Sequence, residues 1–357
     1  MSIVKFSEVA HRAYTREDRF NTEKIYYVGG EHIDSCELYV TKKGVIKGST
    51  IGPMFYCGFT AGQILFVTRN PHLKKCSIAD FDGICSEKTF VIETKDESIL
   101  TQEYLAIIMQ SDDFWNYCEE NKSGGVNYFL NWSTLADYEF ELPPIKQQLE
   151  IAQKVMSAYR LKQSYKKLLD ATREMVKSQF IEMFAFQDLS LTNPSDDFAK
   201  KCYDDTSSAT KVPAGNYQNN GRYAIYDQSQ DCDIAGYTDS IEGVCNNYPA
   251  VLFGDHSRVI KYINQPFYIG ADGVKIIRPK GDDLLPEFLY YDLLYHNIPN
   301  TGYNRHFKYV KMLKLTEASI DEQEEFLKIA HQADKSEFEL RKSIEAIDQV
   351  IKSLINN

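Results

Sequence analysis

The chain has 357 residues, 43% hydrophobic and 13% aromatic, which suits two or three packed domains and excludes wholesale disorder. A net charge of -11 excludes a uniformly basic nucleic-acid surface. No apolar run approaches the roughly 18 residues needed to cross a bilayer, and Met1 to Arg12 carries no secretory pattern.

The first predicted strands are the short β-branched and aromatic runs 24–28, 63–68 and 88–93, each bounded by Gly, Asn or Asp. Helical spacing follows over 100–109, with Thr101 or Ser98 as the N-cap. The same order returns later: runs 223–226, 250–253 and 274–277, then a helix over 285–294 with Pro286 in its first turn, where a missing N–H costs nothing. Each block leads into one long helix. The first follows Leu142-Pro143-Pro144 and carries apolar residues at Ile145, Leu149, Ala152, Met156, Tyr159, Leu168 and Val176, a stripe interrupted near Gln163. The second runs from Ile320 and ends on Leu340, Ile344, Ile347, Ile351 and Leu354.

The two long helices are copies. Residues 145–178 align without a gap on 320–353, with identities at Ile145/Ile320, Gln148/Gln323, Glu150/Glu325, Ala158/Ala333, Ala171/Ala346, Lys177/Lys352 and Ser178/Ser353. With a shift of two residues, Gly125 to Leu135 also matches Gly302 to Met312. The chain is a globule-helix unit used twice. The expected class is therefore α+β: two mixed α/β domains (1–141 and 187–316), each followed by a long helix (142–186 and 317–357). An amphipathic helix of about 39 residues cannot leave its stripe in water, so the two copies are expected to pack as an antiparallel coiled coil. Such a rod is roughly 55–60 Å long, on the order of 16 base pairs of B-DNA.

Charge is uneven along this plan. Only 142–186 is net basic, with eight basic against four acidic side chains. The eight cysteines (36, 57, 76, 85, 118, 202, 232 and 245) include no Cys-x-x-Cys and have no His-x-x-x-His beside them, so reduced thiols in a cytoplasmic protein are expected, with no metal site.

Two globules alternating with two helices, the first introduced by Leu142-Pro143-Pro144-Ile145-Lys146-Gln147-Gln148, resemble the specificity subunit of Type I restriction-modification enzymes. The stretches 127–135 and 304–312 fit the final loop and strand of that family's target-recognition domains, and 249–258 and 266–274 resemble two other stretches typical of them. The second lead, Glu317 to Gln323, departs from the pattern by lacking the proline pair. The resemblance implies a subunit without catalysis of its own. Each globule would read one half of a split double-stranded DNA site, while the helices fix the spacer and dock two methyltransferase subunits. Restriction-translocase subunits would join that core. S-adenosylmethionine, ATP and Mg would belong to those partners.

Base reading needs Arg for guanine, Asn or Gln for adenine, and lysines for phosphate. The strongest cluster in the second half is Asn304, Arg305, His306 and Lys308 beside Gly302. Asn216, Asn219 and Arg222, then His256, Arg258 and Lys261, come next. In the first half Lys122 and Asn127 occupy the equivalent loop, with Lys42, Lys43, Lys74 and Lys75 as phosphate contacts. Such residues also make ordinary solvated turns. The helix cations Lys154, Arg160, Lys162, Lys166, Lys167, Arg173 and Lys177 face DNA, solvent or an acidic partner. A rival enzyme reading uses Asp80 or Asp82 with Glu93 and Lys95 as a Mg-dependent nuclease site; a protein-binding scaffold is the non-enzymatic rival.

Overall fold

A computed structural model of the chain describes residues 2–186, 196–302 and 304–356. It forms two compact units, Met1–Lys167 with Leu340–Asn357, and Leu168–Glu339. The architecture is mixed α+β, and the long helices span Ile145–Phe184 and Ile320–Asn356. The expected boundary at 186/187 falls on residues outside those described.

In the first unit, a four-stranded antiparallel sheet runs Ala10–Arg12, Thr89–Thr94, Ile64–Val67, Cys76–Ile78. A five-stranded sheet runs Thr15–Arg16, Phe55–Phe59, Gly83–Ser86, Tyr26–Val28, Gly44–Val45. The run 64–67 is apolar throughout because both of its faces are covered. Ile64 and Phe66 enter a core with Phe114, Trp115, Val155 and Tyr159, while Leu65 and Val67 enter another with Val28, Ile33 and Phe59. The predicted strands appear within two residues of their expected bounds, and Thr101 is the N-cap, its side chain accepting from Tyr104 N.

The second unit repeats the device. Its four-stranded antiparallel sheet runs Cys202–Asp204, Val274–Pro279, Ala250–Gly254, Ile260–Ile263. Val251 and Phe253 face one core, Ala250 and Leu252 the other. Helix Pro286–Tyr295 begins on its proline. Phe180 is fully buried in this unit, its ring 5.0–5.5 Å from those of Phe184, Phe186, Phe288, Tyr295 and Phe326.

The leads into the long helices solve one problem in two ways. The first has Pro143 and Pro144, where an N–H would have no helical partner. The second uses a capping box: Glu322 Oε2 accepts from Ser319 N at 2.8 Å, and Ser319 Oγ accepts from Glu322 N at 3.4 Å. Behind each lead sits a buried glutamine. Gln148 Oε1 accepts from Thr101 N at 3.1 Å, and its Nε2 donates to the carbonyls of Ile99 and Pro143 at 2.8 and 2.9 Å. Gln323 Oε1 accepts from Leu285 N at 2.9 Å, and its Nε2 donates to Asp283 and Ala318 at 2.9 and 3.0 Å.

The interruption in the first stripe also has a cause. Lys162 is buried there and pairs with Glu37 at 3.2 Å and Asp348 at 2.7 Å. Glu37 further accepts from Lys166 at 2.8 Å and Tyr159 OH at 2.9 Å. In the second unit Arg173 pairs with Glu337 at 3.2 Å. Three of the helix cations are thus engaged within the chain. Of the second stripe, Ile351 and Leu354 pack on the first unit's core, and Ile344 and Ile347 are half-buried.

Replacing Phe180 by Ala removes a ring at the centre of five others and should cost about 3–5 kcal/mol. Chemical denaturation checks this, and a change below about 1 kcal/mol would refute the central role. Glu37 supplies a pH dependence. Burial opposes its charge, but the bond from Lys166 and the charges of Lys162 and Lys166 outweigh burial and hold its carboxyl below the ordinary range. A carboxyl whose folded value is depressed stabilises above its unfolded value, near 4.5, and loses that contribution as pH falls through the folded one. The stability gap between wild type and Glu37→Gln should therefore be full at neutral pH and close on acidification below about 4.5. A gap independent of pH would count against it.

Candidate nucleic-acid interface

In the second unit two loops meet where strand Ala250–Gly254 ends. Asp255 is buried and joins them. Its Oδ1 accepts from Phe307 N at 2.8 Å, and its carbonyl accepts from His306 N at 2.8 Å and from His306 Nδ1 at 2.9 Å. Thr301 N donates to His306 Nε2 at 3.2 Å, so the Nδ1-protonated tautomer satisfies both ring nitrogens. His256 Nδ1 approaches Asn304 O at 3.2 Å. Gly302 takes φ +77°, a left-handed turn that favours glycine, and non-glycine Arg258 is left-handed too, at +64°. Such conformations persist where surrounding bonds over-determine them. Asn304, Arg305, Lys308 and Lys311 are left exposed on this rigid base. Lys275 and Lys311 flank the Phe307 ring at 5.3 and 5.1 Å.

The first unit builds its counterpart at the end of strand Ile64–Val67. Thr68 O accepts from Leu130 N at 3.0 Å, and Asn70 N donates to Tyr128 O at 2.9 Å. Ser123 bridges to Phe129 within the loop. Gly124, not Gly125, is the left-handed glycine, at φ +101°; a Cβ there would lie 2.6 Å from Asn127 O. Around this junction three arginines lie on aromatic rings. Arg12 sits over Phe90 at 4.5 Å and Tyr14 at 5.2 Å, Arg16 over Tyr56 at 5.0 Å, and Arg69 over Phe129 at 5.1 Å. Lys122 covers Tyr128 at 4.5 Å. The contacts run on: Tyr56 OH donates to Glu87, which pairs with Lys88, whose carbonyl accepts from Thr68 N.

Both loop junctions can do the same chemistry. An Arg fork matches guanine O6/N7, an Asn amide matches adenine, exposed lysines reach phosphate, and aromatic faces stabilise the cations. The sequence reading named Asn127, Lys122, Asn304, Arg305 and Lys308 here but missed Arg12, Arg16, Arg69 and Lys311. A signal was present for two of them, since Arg12, Tyr14 and Arg16 alternate along one face of an extended segment.

Other named residues are placed differently. Lys261 and His306 are buried. Lys261 Nζ donates to the carbonyls of Cys232 and Asp233 at 2.7 and 2.9 Å, and burial pulls its ammonium below the ordinary lysine range. Those two side chains hold loops and do not face a groove. Arg258 Nη1 donates to Ile298 O at 3.0 Å. Lys42 pairs with Asp34 at 2.7 Å, Lys43 lies over Tyr26 and Phe81, Lys74 pairs with Asp112, and Lys75 donates to Gly30 O. Asn216, Asn219 and Arg222 are exposed in the loop entering strand Tyr223–Tyr226, on the neighbouring sheet. Tyr303, inside the 302–308 cluster, lies outside the described residues.

The carboxylates and the lysine of the nuclease reading each take a partner within the first unit. Asp82 accepts from Ala61 N, Glu93 from Gln63 Nε2, and Lys95 donates to Ser7 O. Among the described residues no three His, Cys, Asp or Glu side chains group to hold a metal, and no helix is long and apolar enough to cross a membrane.

No family model matches the chain. Its fold, however, is that of a Type I restriction-modification S subunit. The crystal structure of that subunit from M. genitalium superposes over 99% of this chain and 94% of its own, with a TM-score of 0.55 at 13% identity. Among curated proteins, the Type I restriction enzyme EcoDI specificity subunit of Escherichia coli is 30% identical over 97 residues, which cover 27% of this chain and 21% of that relative. Looser superpositions, at TM-scores of 0.49 and 0.41, are found with a structure describing assembly of the type I R-M system and with the HsdS subunit of Thermoanaerobacter tengcongensis; these cover 99% of the chain at 17% and 18% identity. The resemblance read from the sequence and the fold agree.

The loop junction yields a direct test. Asp255→Ala leaves the buried Phe307 N–H without its acceptor and should cost about 1–3 kcal/mol. Amide exchange at Phe307 should quicken while exchange in strand Val274–Pro279 holds. Unchanged exchange at Phe307 would show that Asp255 does not join the loops.

Proposed function

We propose that this chain is the non-catalytic DNA-specificity subunit of a Type I restriction-modification complex. Each unit reads one half of a bipartite double-stranded site. The first does so through Arg12, Arg16, Arg69, Lys122 and Asn127; the second through Asn304, Arg305, Lys308 and Lys311. The observation that carries this reading is the duplication of one loop junction, at the end of the equivalent strand in each unit, on a fold matching a Type I S subunit over 99% of the chain. The ion pairs Lys162–Asp348 and Arg173–Glu337, in which one number rises as the other falls, support antiparallel pairing of the long helices. That pair would act as the ruler between half-sites and dock two methyltransferase subunits, with restriction-translocase subunits joining them. S-adenosylmethionine, ATP and Mg would be held by those partners. The net charge of -11 favours DNA binding by the assembled complex over the isolated chain.

Co-expression with methyltransferase subunits, followed by methylation mapping, tests the reading. The wild-type complex should methylate one bipartite sequence. Exchanging residues 187–316 for a relative's second globule should change one half-site only. Arg305→Ala should relax preference at one base pair of that half by about 1–3 kcal/mol, and Arg69→Ala should do so in the other half. One exchange rewriting both half-sites, or metal-dependent cleavage by the chain alone that Glu93→Ala abolishes, would overturn it.

A further inference from the structure

Gln148 and Gln323 hold equivalent places in the two copies, and each is buried with its amide fully engaged. Each carbonyl oxygen takes the N–H of the residue that precedes a helix of its domain, Thr101 before Gln102–Ile108 and Leu285 before Pro286–Tyr295. Each NH2 bridges two carbonyls, one two residues before that N–H (Ile99, Asp283) and one in the lead to the long helix (Pro143, Ala318). A side-chain amide offers the one acceptor and two donors that this set requires. Carboxylate, aliphatic or shorter amide side chains cannot match it.

We infer that Gln148 and Gln323 are positioning residues that fix the angle of each recognition domain on its own helix and so make the complex intolerant of altered spacer length. The local part stands on geometry alone; the part concerning spacers rests on the function proposed above. The duplication itself supports the inference. The leads differ chemically, one built on prolines and the other on a capping box, yet the glutamine and its three partners recur in both. A residue needed only to start the helix would follow the lead.

Gln323→Glu keeps shape but turns both donors into acceptors facing carbonyls. The first measurement uses spin labels at Lys211→Cys and Lys328→Cys, on the second domain and its helix, with exposed Cys36 and Cys232 changed to Ser. Wild type should give a narrow distance distribution and Gln323→Glu a broad one. An equally narrow distribution overturns the inference. The second measurement compares methylation of the cognate site with sites whose spacer is one base pair shorter or longer. Gln323→Glu should reduce spacer discrimination about tenfold, as expected for two lost buried hydrogen bonds, with both half-site sequences unchanged. A purely structural role would lower melting temperature and total methylation and leave the discrimination ratio intact, and that result overturns the spacer claim. If Gln323→Glu does not fold, Gln323→Asn carries both measurements, and the mirror variant Gln148→Glu carries the spacer measurement, by the same criteria. A wild-type complex that methylates no bipartite site rejects the proposed function, while the spin-label result still decides the positioning role.

Discussion

A buried side-chain amide that satisfies three backbone groups at once is the constraint on which each half of this molecule depends. A backbone N–H or C=O buried without a partner costs about 1–3 kcal/mol, and each junction between sheet domain and long helix creates three such groups. Gln148 and Gln323 each meet all three with one buried side chain. The price of the arrangement is rigidity in the choice of residue, since no other side chain carries this donor set at this length. It leaves the helix leads free to differ, and they do.

From that junction outward the same logic builds the candidate reading surface. In the second unit the buried carboxylate of Asp255 accepts from Phe307 N, the buried imidazole of His306 donates to Asp255 O, and the two bonds hold two loops together. In the first, backbone pairing between 68–70 and 128–130 does the work. Rigid loops matter for recognition because a guanidinium reads a base edge only when its fork is oriented before contact. The aromatic rings under Arg12, Arg16 and Arg69 restrict those side chains similarly.

The acidic net charge ceases to be a contradiction once the cations are sorted by partner. Lys42, Lys74, Lys162, Lys166 and Arg173 are engaged with carboxylates of the chain itself, as are Lys122 and Lys275 at the loop junctions. Among the described residues no carboxylate pairs with Arg12, Arg16 or Arg69. The acidic total is therefore compatible with local cationic groups at the loop junctions, as the proposed DNA reading requires.

The sequence by itself determined the repeat, the long helices, and strands over 63–68 and 250–253. These are written in periodicity and in short apolar runs, which depend on neighbours along the chain. It also marked Gln148 and Gln323 as equivalent, without saying why. Only the tertiary structure decided that Lys261 and His306 are interior, that Lys162 fills the gap in the helix stripe, and that Arg69 shares a surface with Phe129. Each of those outcomes is set by a partner 28 to 186 residues away or by burial from a distant segment. Local sequence records what a side chain can donate or accept; the partner that takes it up is fixed by the packing of elements remote in the chain.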